Sequence, residues 1–139
     1  MNRSVVAFFA VTMVFAIIVS TQVFASYTIT NITNSAGYDE YPEINSSGHI
    51  LWDNPYAELV IYNGADTIQL TDDDNFRDTD YKINANGWTV WVRCTGPNYV
   101  NGEIMLYDGS RVIPITNNGE GYTDRYPQIN NQNHVVWSG

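Results

Sequence analysis

Residues 78–91 read DTDYKINANGWTVW, and the same layout occurs twice more along the chain. Residues 39–52 read DEYPEINSSGHILW, and residues 124–137 read DRYPQINNQNHVVW. Each copy opens on an Asp, continues to Ile-Asn and ends on a Trp seven residues after the Asn. A repeat of this kind predicts a fold built by stacking one supersecondary unit. The recurring residues are Asp39, Asn45 and Trp52, then Asp78, Asn84 and Trp91, then Asp124, Asn130 and Trp137.

Two further apolar segments follow each of the first two copies. They are ELVIYNG (58–64) and EIMLYDG (103–109), and then TIQLT (67–71) and VIPIT (112–116). All are short, rich in β-branched and aromatic residues, and bounded by Gly, Asn, Asp or Pro, which are strand and turn signals. Four short strands in about 40–45 residues are typical of a propeller blade. The sequence therefore predicts an all-β fold of four-stranded antiparallel blades.

Two dipeptides give the strongest turn signals. Asn63-Gly64 and Asp108-Gly109 each lie between two apolar segments. Such pairs favour two-residue type I′ hairpin loops, because both loop positions need a positive φ.

The pattern resembles the TolB-type, WD40-like β-propeller repeat. It reads Asp-x-x-Pro-x-Ile-Asn-x-x-Gly-x-x-x-Trp, then Glu-x-x-x-Tyr-Asp-Gly, then Ile-x-Leu-Thr. That family has roughly Asp-x-x-Pro-x-Trp-Ser-Pro-Asp-Gly at the start, so Ile-Asn here replaces Trp-Ser. The resemblance covers residues 27–139 and indicates a fold rather than a task, since propellers carry many unrelated functions.

The resemblance implies strands A to D in each repeat. Strand A is placed at 43–45, 81–84 and 128–130, and strand B at 49–53, 88–93 and 134–138. Strand C is placed at 58–62 and 103–107, and strand D at 67–71 and 111–116. Residues 27–33 match the end of a strand D and predict one more such strand.

These eleven strands do not complete a ring, because closed propellers have about four to eight blades. Three interpretations follow from the count. The chain is a fragment of a longer propeller, or it assembles with copies of itself into a ring, or it stands as an open stack of blades.

Residues 1–25 have the layout of a secretory signal. Arg3 is the only charge, residues 5–19 are apolar except for Thr12, and residues 23–25 end the segment with small residues at the two positions that a signal peptidase reads. An apolar run of about 15 residues is short for an anchor, which needs about 20. We therefore expect a signal peptide at 1–25, propeller blades at 26–139, and a secreted or periplasmic protein.

The charge balance excludes two classes of partner. The chain has 6 Lys and Arg against 15 Asp and Glu, a formal net charge of −9. This predicts no nucleic-acid partner, since phosphate neutralisation needs basic residues. It also predicts no binding to anionic membranes after signal cleavage.

Metal binding has weak support in the sequence. Asp72, Asp74 and Asp78 are candidate Ca²⁺ ligands, because hard cations take carboxylate oxygens. The spacing does not fit an EF-hand loop, and we favour the interpretation of a solvated interblade loop with an Asp turn. No cofactor is expected.

The recurring residues point to structural roles. We expect the Asp residues to accept backbone N–H bonds before strand A, the Asn residues to close strand A, and the Trp residues to pack between blades. Tyr62 and Tyr107 should pack likewise. We place His49 and His134 at the surface or at strand edges. Cys94 is an odd thiol, interpreted as a small, partly buried apolar residue near a strand end, with an intermolecular disulfide as the alternative.

The longer B–C loop of the second repeat is the best candidate for a binding loop. It covers residues 95–102 and contains Pro97, Asn98 and Tyr99. No catalytic constellation is found in the sequence, so we expect a non-catalytic binding or scaffold module with a protein or carbohydrate partner. The alternative is part of a propeller-fold enzyme, such as a polysaccharide lyase or a peptidase-associated propeller.

Overall fold

The computed structural model describes residues 26–73, 75–95 and 100–139. Residues 31–139 form one compact unit. The predicted signal segment (1–25), Asp74 and residues 96–99 lie outside the described residues. No helix long and apolar enough to span a bilayer occurs within the part that the structure describes.

The described residues contain ten strands and no helix. They are β1 (Glu40–Ile44), β2 (Ile50–Asp53), β3 (Leu59–Tyr62), β4 (Thr67–Gln69), β5 (Phe76–Ile83), β6 (Thr89–Thr95), β7 (Val100–Tyr107), β8 (Val112–Pro114), β9 (Arg125–Ile129) and β10 (Val135–Ser138).

Three antiparallel sheets follow the sequence repeats. The first repeat forms the sheet β1-β2-β3-β4, the second forms β5-β6-β7-β8, and the third contributes the pair β9-β10. Within each sheet the strands lie in chain order, as a meander, and the sheets do not join into a closed ring. The predicted all-β class with four-stranded antiparallel sheets is confirmed, and each of these ten strands overlaps a predicted one.

The predicted strand at residues 27–33 is wrong. Residues 26–35 form no regular secondary structure. Its sequence has strand character, but an outer strand needs a neighbouring strand C to complete its hydrogen bonds. The third repeat provides only β9 and β10 for such pairing.

The turn between the first two strands is built by an Asn side chain in all three repeats. Asn45 Oδ1 accepts the backbone N–H groups of Ser47 and His49, each at 2.9 Å. Asn84 and Asn130 make the same pair of bonds in their own repeats. This is an Asx turn, in which the side chain holds the backbone of the loop.

The third residue after each of these Asn residues has a left-handed backbone conformation. Gly48 and Gly87 have a φ of 83°, and Asn133 has 64° at the equivalent position. Glycine meets this need without strain, and Asn tolerates it better than most residues.

A β-bulge interrupts the first strand of every repeat. Tyr41, Asp80 and Tyr126 have φ values of 50°, 52° and 54°. The strand register shifts at each of these positions. A bulge bends the strand and re-aims its side chains, so the three first strands share one local shape.

The hairpins at Asn63 and Asp108 form, but not with the predicted type I′ loops. The connections are four residues long, and only the glycines have a positive φ, 97° for Gly64 and 92° for Gly109. Asn63 Oδ1 instead accepts the N–H groups of the next two loop residues after Gly64. Asp108 makes the equivalent bonds. Side-chain capping therefore replaces the second positive φ that a type I′ loop needs.

A buried Glu–Thr contact fixes the start of the third strand to the end of the fourth. The Thr71 hydroxyl donates to Glu58 and accepts the Leu59 N–H at 2.9 Å. Thr116 and Glu103 repeat this arrangement in the second sheet. A buried carboxylate is tolerated here because hydrogen bonds satisfy it.

Two apolar clusters join consecutive repeats. The first junction, between the first and second sheets, is formed by Leu51, Leu59, Ile61, Tyr81, Trp91, Met105 and Tyr107. The second junction, between the second sheet and β9-β10, is formed by Val92, Cys94 and Ile104, with Ile115 and Val135 against them. Stacking thus buries the apolar faces that a single sheet leaves open.

Candidate functional site

A cleft of about 680 Å³ opens between the first and second repeats. Its walls come from β1, β5, the end of β2 and the turn after it. The two bulged residues Tyr41 and Asp80 face the cleft from opposite strands. Its lining is Gly37, Tyr38, Glu40, Tyr41, Glu43, Asp53, Asn54, Pro55, Ala57, Arg77, Asp78, Thr79, Asp80, Tyr81 and Lys82.

Acidic groups dominate this cleft. Five lining residues are carboxylates and two are basic, Arg77 and Lys82. Lys82 forms an ion pair with Glu43 across the first junction. Because carboxylates outnumber basic groups by five to two, the lining is predominantly negative.

Asp53 is the most unusual group in the cleft. It ends β2, and its Oδ1 is buried without a hydrogen-bond partner among the described residues. Burial raises the pKa of the Asp53 carboxyl to about 6, with the nearby Asp78 and Glu40 charges acting in the same direction. A buried oxygen without a partner is costly, and a hydrogen bond with Tyr81 only partly offsets the rise in the pKa of this carboxyl.

Tyr81 closes the cleft next to Asp53. Its hydroxyl donates to the Tyr41 carbonyl at 2.8 Å, which ties β5 to the bulge of β1. Burial raises the pKa of the Tyr81 hydroxyl, so it stays protonated at neutral pH. The site therefore contains a fixed hydroxyl beside a carboxylate with an unsatisfied oxygen.

Asp78 lines the same cleft but its carboxylate is engaged. Its Oδ1 accepts the Trp91 indole N–H at 2.7 Å and lies 3.4 Å from Arg93 Nε. Burial raises the pKa of Asp78 to about 6, although the Arg93 charge opposes this. Arg93 also contacts Asp73 at 3.2 Å. This group therefore serves the fold and is less free to bind a ligand than Asp53.

A smaller cleft of about 340 Å³ occupies the equivalent place at the second junction. Every residue that lines it matches a residue of the first cleft by repeat position. The difference lies in the chemistry, since Val92 and Cys94 stand where the first cleft has Asp53 and Pro55. Its lining is Thr79, Asp80, Val92, Cys94, Arg125 and Tyr126.

The recurring Asp and Trp residues are linked to each other. The Trp52 indole N–H donates to Asp39 at 3.2 Å, as Trp91 does to Asp78. The sequence predicted backbone donors for these carboxylates, whereas here the indole is the donor, because a buried indole N–H needs an acceptor. In the third repeat, Asp124 accepts the Asn118 side-chain amide at 2.6 Å.

The Trp residues differ in exposure. Trp91 is fully buried within the first junction, and Trp52 is also buried. Trp137 is 41% exposed on the two-stranded third repeat. Tyr107 is buried in the first junction, and Tyr62 is half-buried.

Several other predicted site residues can be placed. Asp72 is exposed, and Asp74 lies outside the described residues, as do Pro97, Asn98 and Tyr99. Within the described ranges, no group of three or more His, Cys, Asp or Glu residues is arranged to hold a metal ion.

The His and Cys residues lie near the turns and the second junction. The His49 Nδ1 atom lies 3.1 Å from the Asn45 side-chain amide. The His134 Nδ1 atom lies 3.4 Å from the Asn130 side-chain amide. Cys94 is a buried free thiol in β6, and burial raises its pKa.

Comparison of the chain with family models, curated proteins and solved structures finds no match. The resemblance to the TolB-type repeat therefore rests on the residues quoted above.

Sequence reasoning missed the clefts themselves. Nothing in residues 39–45 marks Tyr41 as a bulge with positive φ, since Tyr rarely adopts that conformation. One signal was available: the acidic residues of the first cleft cluster at and just before strand A, at Glu40, Glu43, Asp78 and Asp80. Sequence position alone did not place them opposite Asp53.

Proposed function

We propose that this chain is an exported, non-catalytic propeller-type module that binds a basic segment of a partner protein in its first cleft. The observation that carries this proposal is the predominance of carboxylates in an open cleft that also contains the buried, unpartnered Asp53 Oδ1. A lysine or arginine side chain supplies the positive charge and the N–H donors that the exposed carboxylates of Glu40 and Asp80 accept.

The propeller-type arrangement is part of the proposal. Its support is the meander of four strands in each complete sheet, the stacking of sheets through apolar faces, and the resemblance of the repeat to the TolB type. In such an arrangement the first strands β1, β5 and β9 lie innermost, so the clefts between them face the axis. A bound segment would then run along the bulged first strands.

An extracytoplasmic location is part of the same proposal. The signal-like segment at 1–25 predicts export, and strong negative charge keeps an exported module soluble. A basic partner segment is attracted over several ångströms at low salt, which accelerates its association.

The enzyme alternative has less support from the cleft. A lyase acting on uronate polymers would bring a polyanion to a surface where carboxylates outnumber basic groups by five to two. Like charges make that encounter unfavourable. Chelator-sensitive cleavage of a uronate polymer by the purified chain would reverse this ranking.

The binding proposal is tested with a fluorescein-labelled hexa-arginine peptide and fluorescence anisotropy. We expect saturable binding at low salt that weakens as salt is raised. The double variant Asp53→Asn with Asp80→Asn should weaken binding on the order of tenfold, since it removes two cleft charges.

The control for general charge attraction is Asp66→Asn together with Asp72→Asn. Both residues are outside the cleft lining, and the change in net charge is the same. This variant should bind within about twofold of the unmodified chain. Equal weakening by both double variants would show that the peptide binds the whole negative surface, and the proposal would then be abandoned.

A further inference from the structure

Asn is followed by Gly at four places in the sequence, and this dipeptide can react within its own backbone. The four pairs are Asn63-Gly64, Asn86-Gly87, Asn101-Gly102 and Asn118-Gly119. Because glycine has no Cβ, its backbone nitrogen can approach the side-chain carbonyl carbon of the preceding Asn. Three groups take part in the reaction: the glycine N–H, the Asn Oδ1 and the Asn Nδ2. The hydrogen bonds of these groups therefore decide which pair reacts.

The reaction is a deamidation in two steps. In the first step the glycine nitrogen loses its proton to the solvent and attacks the Asn Cγ, so that an N–C bond forms and the Cγ–Nδ2 bond breaks. The amide nitrogen takes up a proton and leaves as ammonia, and a succinimide ring remains. In the second step water opens the ring at either of its two carbonyls. The net change converts an amide and a water molecule into a carboxylate and an ammonium ion, with no change of oxidation state.

Asn63 lies in a loop that leaves the reacting nitrogen and the leaving group unengaged. Asn63 and Gly64 are both exposed between β3 and β4, so water and base reach them. Within the part of the chain that the structure describes, neither the Gly64 N–H nor the Asn63 Nδ2 donates a hydrogen bond. The fold therefore does not hold back the attack or the departure of ammonia.

The carbonyl oxygen of the same side chain is held by two donors. Asn63 Oδ1 accepts the Ala65 N–H at 2.9 Å and the Asp66 N–H at 2.8 Å. Negative charge builds up on this oxygen when the nitrogen attacks Cγ, and backbone donors at such distances stabilise it, as they do in the oxyanion holes of acyl-transfer enzymes. The turn thus polarises the carbonyl that the Gly64 nitrogen attacks.

Hydrogen bonds restrain the Asn86-Gly87 pair at both reacting nitrogens. The Gly87 N–H donates to the Asn84 carbonyl at 3.1 Å. The Asn86 side-chain amide donates to the Asn131 carbonyl at 3.0 Å. Attack and departure would each break a bond of the second junction, so this pair should keep its amide.

The remaining two pairs are restrained at the leaving group. The Asn118 amide donates to the Asp124 carboxylate at 2.6 Å, a charge-assisted bond. The Asn101 amide donates to the Thr95 hydroxyl at 3.2 Å, and the nitrogen that would attack belongs to the buried Gly102. Both pairs should therefore react more slowly than Asn63.

We propose that Asn63 is a site of spontaneous deamidation, whereas the other three Asn-Gly pairs keep their amides while the chain is folded. The modification adds one negative charge to the hairpin between β3 and β4. Asn63 lies outside the lining of the first cleft, so the modification does not depend on what that cleft binds.

The two products of ring opening differ in their effect on the hairpin. Opening at Cγ gives an aspartate, and the second repeat already has Asp108 at this position, where it accepts the Ser110 and Arg111 N–H groups. Opening at the main-chain carbonyl gives an isoaspartate, whose backbone is one carbon longer. This product loses the Asx turn, so the pairing of Tyr62 with Thr67 beside the loop is weakened.

Peptide mapping by mass spectrometry tests the proposal. The folded chain is kept in mildly alkaline heavy-oxygen water and then digested with trypsin in ordinary water, so that only deamidation before digestion carries the label. Cleavage after Lys and Arg places the four pairs in four different peptides. We expect the peptide with Asn63 to lose its amide at least about tenfold faster than each of the others. An unreacted Asn63, or another pair that reacts as fast, would overturn the proposal.

The same measurement in guanidinium chloride shows whether the fold causes this order. Unfolding removes the hydrogen bonds of all four pairs, so their rates should then lie within about threefold of one another. A preference for Asn63 that persists in the unfolded chain would show that local sequence decides the order, and the structural explanation would be wrong.

A matched pair of variants locates the change in the intact protein. Ion-exchange chromatography should separate a more acidic form after incubation, and Asn63→Ser should abolish this form while a hydroxyl oxygen remains in the turn. Asn86→Ser, which copies Ser47 of the first repeat, should leave the acidic form unchanged. An acidic form that survives Asn63→Ser contradicts the assignment. Peptide mapping of the unmodified chain decides the question even where a variant does not fold.

Discussion

The two junctions of this molecule are built on the same repeat positions but with different chemistry. The first junction brings together seven buried residues, with Trp91 at its centre and a polar, acidic cleft beside it. The second junction has three buried residues, and its cleft is half as large and lined by Val92 and Cys94. Both have the bulge, the Asx turn and a bond from the Asn side-chain amide to the carbonyl of the next repeat's Asn, and the second junction adds bonds to the side chains of Asn131 and Asn133. The junctions therefore differ both in their side chains and in the strands on the far side, which number four at the first junction and two at the second.

The largest expected effect is at Trp91. Replacing it with Ala should lower the free energy of unfolding by about 3–5 kcal/mol, because a fully buried aromatic side chain leaves a cavity. Trp137→Ala removes the same side chain from a partly exposed site and should cost roughly 1–2 kcal/mol. Urea unfolding followed by circular dichroism measures both.

Trp91→Phe serves as a second variant if Trp91→Ala does not fold. It retains most of the apolar area, but it leaves Asp78 without the indole donor. Equal losses for the Trp91 and Trp137 replacements would mean that the first junction is not the main stabilising contact.

The next effect concerns pH. Burial raises the pKa of Asp53 to about 6, above the ordinary value of a carboxyl group, so between about pH 4 and 6 the folded chain binds more protons than the unfolded chain. Stability therefore decreases as pH rises through this window. Asp78, with its pKa also raised to about 6, contributes with the same sign.

Asp53→Asn should remove one part of this dependence. We expect the variant to be more stable than the unmodified chain at pH 7, with the difference disappearing below about pH 4. Asp53→Val, which copies the second junction, should act in the same direction. Thermal unfolding across pH 4–8 measures this, and a variant that loses stability at pH 7 would show that the carboxylate has a stabilising partner.

Asp108 should affect the pH dependence of stability in the opposite direction to Asp53, so it serves as a control. Hydrogen bonds from Ser110 and Arg111 lower the pKa of Asp108 to about 2. Asp108→Asn should therefore reduce stability at pH 7, with the loss fading only at strongly acid pH.

The smallest expected effect concerns the rate at which the Cys94 thiol reacts with a labelling reagent. The thiol is buried at the second junction, and burial raises its pKa, so it should react with Ellman's reagent far more slowly than an exposed thiol. Ala65→Cys in a Cys94→Ser background supplies that exposed reference.

Labelling of Cys94 also separates the two junctions. Val135→Ala loosens the second junction and should accelerate labelling, whereas Ile61→Ala lies in the first junction and should leave the rate nearly unchanged. If both variants accelerate labelling equally, the stack opens as one unit, and the two junctions do not differ in their local free energy of opening.

Much of the fold could be predicted because local signals agree with the repeat. The strand positions follow from β-branched and aromatic runs bounded by turn residues, and Asn45 marks its turn directly through its side chain. The strand predicted at residues 27–33 fails because strand formation depends on a neighbour, which local sequence does not describe. The type I′ loops fail because Asn63 and Asp108 hold their turns by side-chain bonds that satisfy the loop in another way.

The candidate site could be predicted less well. The cleft depends on a positive φ at Tyr41 and Asp80 and on the distance between two repeats, and neither is visible as a residue pattern. In the sequence, nothing distinguishes Asp53 from any other acidic residue at the end of a strand. Its raised pKa comes from what the neighbouring repeat places around it, so only the assembled stack defines it.

At each junction the Asn side-chain amide donates to a backbone carbonyl of the next repeat, and this has a consequence for how such a chain can be engineered. Any residue at the acceptor position supplies that carbonyl, so this bond sets a sequence requirement on the donor side alone. The second junction adds bonds to the side chains of Asn131 and Asn133. Insertion of a further repeat ahead of the third would therefore have to keep these two side chains, whereas the carbonyl acceptors impose no such requirement.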